Sequence, residues 1–305
     1  RGRFGIVPVM QDIETLNQRA IAAAGGFPPP LREGVRGWVG RGSELNVRSG
    51  ALTHPLAPSF SGRGESASTV DALEITAISC AAYPFVKDRY ALTACGSSMG
   101  DAYGPKIVAR ERLSFDDLKK PEVVIAVPGE RTTAFAAMSM LLGPNTFRYE
   151  VIPFKQIIDA VAEGDFAAGL IIHEGQLTFE SSGLHQIVDL GAWWTHRINL
   201  PLPLGVNAIR RDLDDLHGAG TTREIAALLR QSVEYALAHR EESVAYALQF
   251  ARDMTSDLAD EFIRLYVNKW TLDFGAAGRE AVRTFLRETH KAGLTPDAGE
   301  VDFVG

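Results

Sequence analysis

The stretch "AAGLIIHEGQLTF", residues 167–179, decides how the rest of the chain is read. Ala168 to Ile172 are small or apolar, the pattern of a short buried strand. His173 and Glu174 follow at once, so a strand that enters a core ends by presenting an imidazole beside a carboxylate. Just upstream, "FKQIIDAVAEG" (154–164) has amphipathic helical spacing and stops at a glycine. Helix, buried strand and polar strand end form a repeating unit of an α/β sheet, where ligands bind beyond the carboxyl ends of the strands.

The same unit recurs outward from this stretch. "LEITAIS" (73–79) reads as a strand leading into a helix at "CAAYPFVKDR", and "YALTACGSSMG" and "KIVARE" read as extended. The strand Val123–Val127 runs through Pro128-Gly129 into the helix "TTAFAAMSMLLG", which ends at Gly143. Upstream, "RFGIVPVM" reads as a strand and "DIETLNQRAIAAA" as a helix capped by Asp12. From about residue 222 the pattern is nearly all helical. The expectation is a two-lobed α/β protein with mixed, mainly parallel sheets and a helical C-terminal region packed back on the first lobe. Residues 1–112 form the first part of lobe 1, 113–206 form lobe 2, and 207–305 return to lobe 1.

Residues 25–70 interrupt this order. They hold nine Gly, five Pro and six Ser without a helical or strand period, and are expected to be a flexible surface insertion.

Composition narrows the function. The 305 residues are 46% hydrophobic and 23% charged, with net charge −7. That sign argues against nucleic acid or an anionic membrane as partner. No apolar run reaches membrane-spanning length. Cys80 and Cys95 lack paired spacing, so zinc held by Cys and His is not indicated and a reduced pair is the simplest reading.

Three strand ends are candidate site positions: Ser79, Gly129–Thr133 and His173. Thr132-Thr133 opens a helix, so free N–H groups and hydroxyls there suit a carboxylate or phosphate; equally, one threonine could simply cap the helix. Ser79 offers the same two readings. His173 has the side chain most used for proton transfer near neutral pH, though a lone histidine is more often structural. Gly96, Gly100 and Gly104 match no nucleotide loop and are read as close chain packing where the lobes cross.

Taken together, "DIETLN", "EITAIS", "AAYPFVKDRYAL", "CGSSMGDAYGP", "IAVPGERTTAF", "DAVAEGDFAAGLIIHEGQLTF", "VDLGAWW" and "LPLPLGVNAIRRDL" resemble the 1,4-dihydroxy-6-naphthoate synthase family of the futalosine route to menaquinone. The resemblance spans nearly everything outside 25–70. It implies the two-lobed fold of type 2 periplasmic binding proteins, used as an enzyme. It further implies a cytoplasmic lyase that cleaves cyclic dehypoxanthine futalosine, a small molecule with an aryl carboxylate, and needs no cofactor. The family's general base falls on His173. Its substrate-binding segments fall on Ala77, Ile78 and Ser79 and on Thr132, Thr133 and Ala134. Family members begin with a strand and an "SPCPNDT"-like loop that lines the cleft, whereas this sequence begins "RGRFGIVPV". A non-catalytic solute binder of the same fold, a scaffold without activity and the related chorismate dehydratase are the alternatives; the His-Glu-Gly-Gln string fits the last less well.

Overall fold

The computed structural model describes residues 73–173, 175–248 and 256–305. The strand and helix expected before residue 25, the stretch 25–70 and Glu174 lie outside the described residues.

The chain enters through β1 (Ile75–Ser79), β2 (Tyr90–Thr93) and β3 (Ser98–Gly100). Between β1 and β2 the expected α-helix is a short 3-10 turn, Cys80–Phe85. Pro84 sits inside it and has no N–H to extend a helical ladder. The chain then crosses to a second sheet. There it builds β4 (Lys106–Ala109), β5 (Val124–Val127), α1 (Thr133–Leu142), β6 (Arg148–Val151), α2 (Ile157–Glu163), β7 (Ala168–Ile171), α3 (Gly175–Thr178), β8 (His185–Asp189) and α4 (Leu190–Ile198). It returns through β9 (Leu202–Arg210) to the first sheet. The remainder is α5 (Leu213–His217), α6 (Thr221–Ala238), α7 (Arg240–Leu248), α8 (Ser256–Tyr266), α9 (Lys269–Leu272), α10 (Gly275–Lys291) and β10 (Phe303–Val304).

The first sheet has the order β1-β9-β2-β10, with β3 also on β9; the second has the order β6-β5-β7-β4-β8. Two α/β lobes are present, as expected, and the chain crosses between their sheets twice. The crossings fall at other residues than the expected boundaries. Lys106–Ala109 pairs in the second sheet, and Leu202–Val206 pairs in the first, so the crossings precede residues 112 and 206. A short strand such as "KIVA" is apolar whichever sheet receives it, so its periodicity does not say where it pairs. Nor does a parallel majority hold among the described strands. Five pairings are antiparallel and three parallel, because β9 returns against β1, β2 and β3 and β4 runs against β7 and β8.

The local signals explain the elements. Thr132 caps α1, its Oγ1 accepting the Phe135 N–H at 3.1 Å, and Gly143 ends the same helix. Gly164 ends α2 with φ of 94°, a left-handed conformation that costs glycine little. The core is continuous between the lobes, from Ile78, Tyr83 and Leu92 to Ile125 and Leu170. Trp194 of α4 meets Phe285 of α10 edge to face, ring centroids 5.5 Å apart. Both are fully buried, each contributing roughly 2–3 kcal/mol of hydrophobic stabilisation. At the outward crossing Gly104 lies against Gly191, where a Cβ would come within 3.0 Å of the Gly191 backbone. This is the close packing read from the glycines of "CGSSMGDAYGP".

Candidate active site in the cleft

Where the two crossovers pass, the lobes enclose a cavity of about 190 Å³. Seven elements or their ends converge on it. Ser79 comes from the end of β1, and Thr132, Thr133 and Ala134 from the start of α1. Ile172 and His173 follow β7, and Gln176 belongs to α3. Ser98 lies on β3, Leu204 and Gly205 on β9, and Tyr266 at the end of α8; Pro105 fills the crossover. Five expected site residues, separated by as many as 94 positions, therefore face one volume. Ala77 and Ile78 do not line it. Strand alternation turns Ala77 outward to solvent and Ile78 into the core.

The threonine hydroxyls have other duties than the anion site suggested. Thr132 Oγ1 donates to the Gly129 carbonyl at 2.7 Å while it caps Phe135. Thr133 Oγ1 donates to the Leu204 carbonyl at 2.9 Å and accepts the Ala81 N–H at 3.2 Å. Their protons are thus committed, one to the Gly129 carbonyl and one to a bridge between lobes. Two helix-end donors remain: the Thr133 and Ala134 N–H groups have no acceptor among the described residues. The helix dipole adds positive potential at the same place. No Lys or Arg lines the cavity among the described residues, so an anion there would rest on neutral donors. Ser79 occupies the cap position of the 3-10 turn without a side-chain cap bond.

Ser98 was not singled out by its sequence. Its Oγ accepts the Gly205 N–H at 3.1 Å, which fixes the oxygen and leaves its own proton for another acceptor. Gly205 permits this approach, because a Cβ there would sit 3.0 Å from that oxygen.

β7 stops at Ile171, and the chain turns at His173 with φ of 55°, the left-handed region that non-glycine residues rarely adopt. The strand therefore does not continue through His173. The imidazole is half-buried and packs on Phe154, ring centroids 4.9 Å apart. Gln176 and Tyr266, both absent from the sequence expectations, stand beside it. Gln176 was visible in principle, three residues from His173 in the opening stretch. Tyr266 has no local signal, being one aromatic on a C-terminal helix. Burial pushes its phenol well above the ordinary range, partly opposed by the Gln176 hydrogen bond, so it is a neutral hydroxyl. Both cysteines are free and buried, and no cluster of His, Cys, Asp and Glu suited to a metal occurs among the described residues.

A cleft between two α/β lobes, closed by polar strand ends and a helix N-terminus, defines a periplasmic-binding-protein-like small-molecule site. Comparison with known proteins agrees. An alkanesulfonate-binding protein of Xanthomonas axonopodis pv. citri, solved bound to MOPS, superposes with a TM-score of 0.57 at 12% identity, over 75% of this chain and 78% of that one. A crystal structure of an Archaeoglobus fulgidus protein gives 0.71 at 31% identity, over 94% and 86%. The family model described as menaquinone biosynthesis matches residues 66–291. Over 233 residues the chain is 39% identical to the 1,4-dihydroxy-6-naphthoate synthase of Thermus thermophilus, covering 76% of this chain and 82% of that protein. The Streptomyces coelicolor enzyme of the same name is 36% identical over 74% and 79%. The chain belongs to this menaquinone biosynthesis family. Among the described residues no helix is long and apolar enough to cross a membrane.

Proposed function

We propose that this chain is a carbon–carbon lyase of menaquinone biosynthesis that converts cyclic dehypoxanthine futalosine to 1,4-dihydroxy-6-naphthoate, with His173 as general base. Family membership supports the reaction. The observation that carries the assignment of roles is the convergence of His173 with the start of α1 on one cavity.

The substrate's aryl carboxylate rests on the Thr133 and Ala134 N–H groups at the helix N-terminus, with Ser79 and Ser98 beside them. Its rings lie against Pro105, Ile172 and Leu204, apolar residues of the cavity lining. His173 removes a proton from the sugar-derived portion. The electron pair of that C–H bond forms a double bond within the sugar-derived portion as the carbon–carbon bond to the ring system breaks. The pair of the broken bond passes to the ring system, which aromatises, and the sugar-derived fragment leaves. Neutral imidazole is the competent form, and Phe154 limits its motion.

The test is to incubate the purified protein with cyclic dehypoxanthine futalosine and follow the naphthoate by mass spectrometry, with chorismate as a second substrate. Appearance of 1,4-dihydroxy-6-naphthoate in the parent and its loss in His173→Asn support the proposal. Turnover of chorismate alone assigns the related dehydration instead, and binding without turnover of either assigns a solute binder.

A further inference from the structure

We propose that Gln176 is a positioning residue that locks the His173 turn, and that Tyr266 holds Gln176 from the other side of the cleft. The proposal rests on the reading of His173 as the base. It starts from the backbone: His173 adopts φ of 55°, a conformation that neighbouring bonds must maintain against a histidine's own preference.

Gln176 supplies those bonds on both sides of the residue. Its backbone N–H donates to the His173 carbonyl at 3.2 Å. Its side-chain Oε1 accepts the His173 N–H at 3.1 Å. The amide is oriented by its neighbours: in this sense Nε2 donates to the Gly104 carbonyl, whereas the reverse would set nitrogen against the His173 N–H and oxygen against the Gly104 carbonyl. One side chain therefore ties the His173 turn to the crossover segment that enters the second lobe.

Tyr266 completes the arrangement. Its Oη lies 2.5 Å from Gln176 Nε2 and 3.0 Å from Oε1. Gln176 is 8% exposed and Tyr266 7%, so water does not compete for these groups. Tyr266 is itself fixed. The Tyr103 ring meets it edge to face at 5.6 Å, and the Tyr103 hydroxyl donates to the Leu265 carbonyl. Asn268 Nδ2 reaches the Tyr103 hydroxyl at 3.1 Å and the Met99 carbonyl at 3.2 Å, which anchors the end of α8 to β3. The base on one lobe is thereby held from a helix anchored to the other. Loss of such support displaces a reacting group by a fraction of an ångström to an ångström, enough for about a hundredfold in rate.

Two measurements on the full chain test this. The first is amide hydrogen exchange of the peptide spanning 172–176, compared between parent and Gln176→Leu. Faster exchange is expected, because the His173 N–H loses its acceptor; unchanged exchange overturns the proposal. The second is steady-state kinetics. Gln176→Leu should lower kcat about ten- to a hundredfold with KM within threefold. Tyr266→Phe keeps the ring and its packing and should lower kcat several-fold in the same manner, which guards against misfolding of the leucine variant. In the His173→Asn background Gln176→Leu should cause no further loss. Independent, multiplying losses would overturn the proposal, as would unchanged kcat in both Gln176→Leu and Tyr266→Phe. If His173→Asn itself keeps full activity, the base assignment fails, and the exchange measurement alone decides whether Gln176 holds the turn.

Discussion

Thr133 of the second lobe donates its hydroxyl hydrogen to the Leu204 carbonyl of the first, 2.9 Å away, and takes the Ala81 N–H on its other side. A residue at the mouth of a helix, in the position of an anion-binding donor, instead stitches the cleft together. Thr133→Val should therefore lower stability by about 1–3 kcal/mol, the cost of leaving buried polar groups unpaired. Product affinity should stay within threefold, because the backbone N–H groups of α1 are untouched. Urea unfolding and titration calorimetry separate the two effects. A drop in affinity of tenfold or more, with stability intact, would show that the hydroxyl binds the ligand directly.

Ser98 gives the opposite expectation. Its oxygen is held by the Gly205 N–H and its proton is available to the cavity. Ser98→Ala should weaken product binding by about ten- to a hundredfold, the worth of one hydrogen bond to a charged carboxylate. Unchanged affinity in calorimetry would place the hydroxyl outside the ligand's reach.

His173→Asn should retain the fold and product binding but lose roughly two to four decades of kcat, the range for a general base. Only neutral imidazole accepts the proton, so kcat/KM of the parent should fall as pH falls, and this acid limb should be absent from the residual rate of the variant. The check is a pH–rate profile of both proteins; a persisting acid limb would assign the titration to another group.

Asp302 and Arg211 pair through two hydrogen bonds, of 2.6 and 2.7 Å, and pin β10 beside β2. Hydrogen bonding from Arg211 holds the Asp302 carboxyl below its ordinary value. A carboxyl depressed in the folded state stabilises above the unfolded value of about 4 and loses that contribution as pH falls through the folded value. The Arg211 side chain is 36% exposed and that of Asp302 50%, so solvent screening limits the gain to about 0.2–1 kcal/mol. Asp302→Asn should lower the thermal midpoint at pH 7 by a few degrees at most, and the difference from the parent should vanish in acid. A gap that persists at pH 2 would mean that packing rather than charge is responsible.

The elements of this protein were legible wherever a local rule governs them. "TTAFAAMSMLLG" starts on a threonine cap and ends on glycine, and α1 does the same. "FKQIIDAVAEG" stops at Gly164 because only a left-handed residue closes α2 there. Order and spacing of such units, with the quoted motifs, were enough for two α/β lobes and for the family. They also placed His173 at a strand end, where an open α/β sheet puts its ligands.

What needed the tertiary structure is whatever depends on partners far along the chain. Strand pairing is one case: Lys106–Ala109 is the same apolar string in either sheet, and only β7 and β8 beside it show that it belongs to the second lobe. The duty of a hydroxyl is another. Whether Thr133 caps, binds or bridges depends on the Leu204 carbonyl, 71 residues away, being brought within 2.9 Å. Tyr266 reaches Gln176 across 90 residues, and nothing near either one records the other. Sequence determined which groups could do chemistry and at which strand ends they stand. Only the packing of one lobe on the other decided which of their protons and lone pairs remain for a ligand, because each such group is spent on whatever neighbour the fold brings within hydrogen-bonding distance.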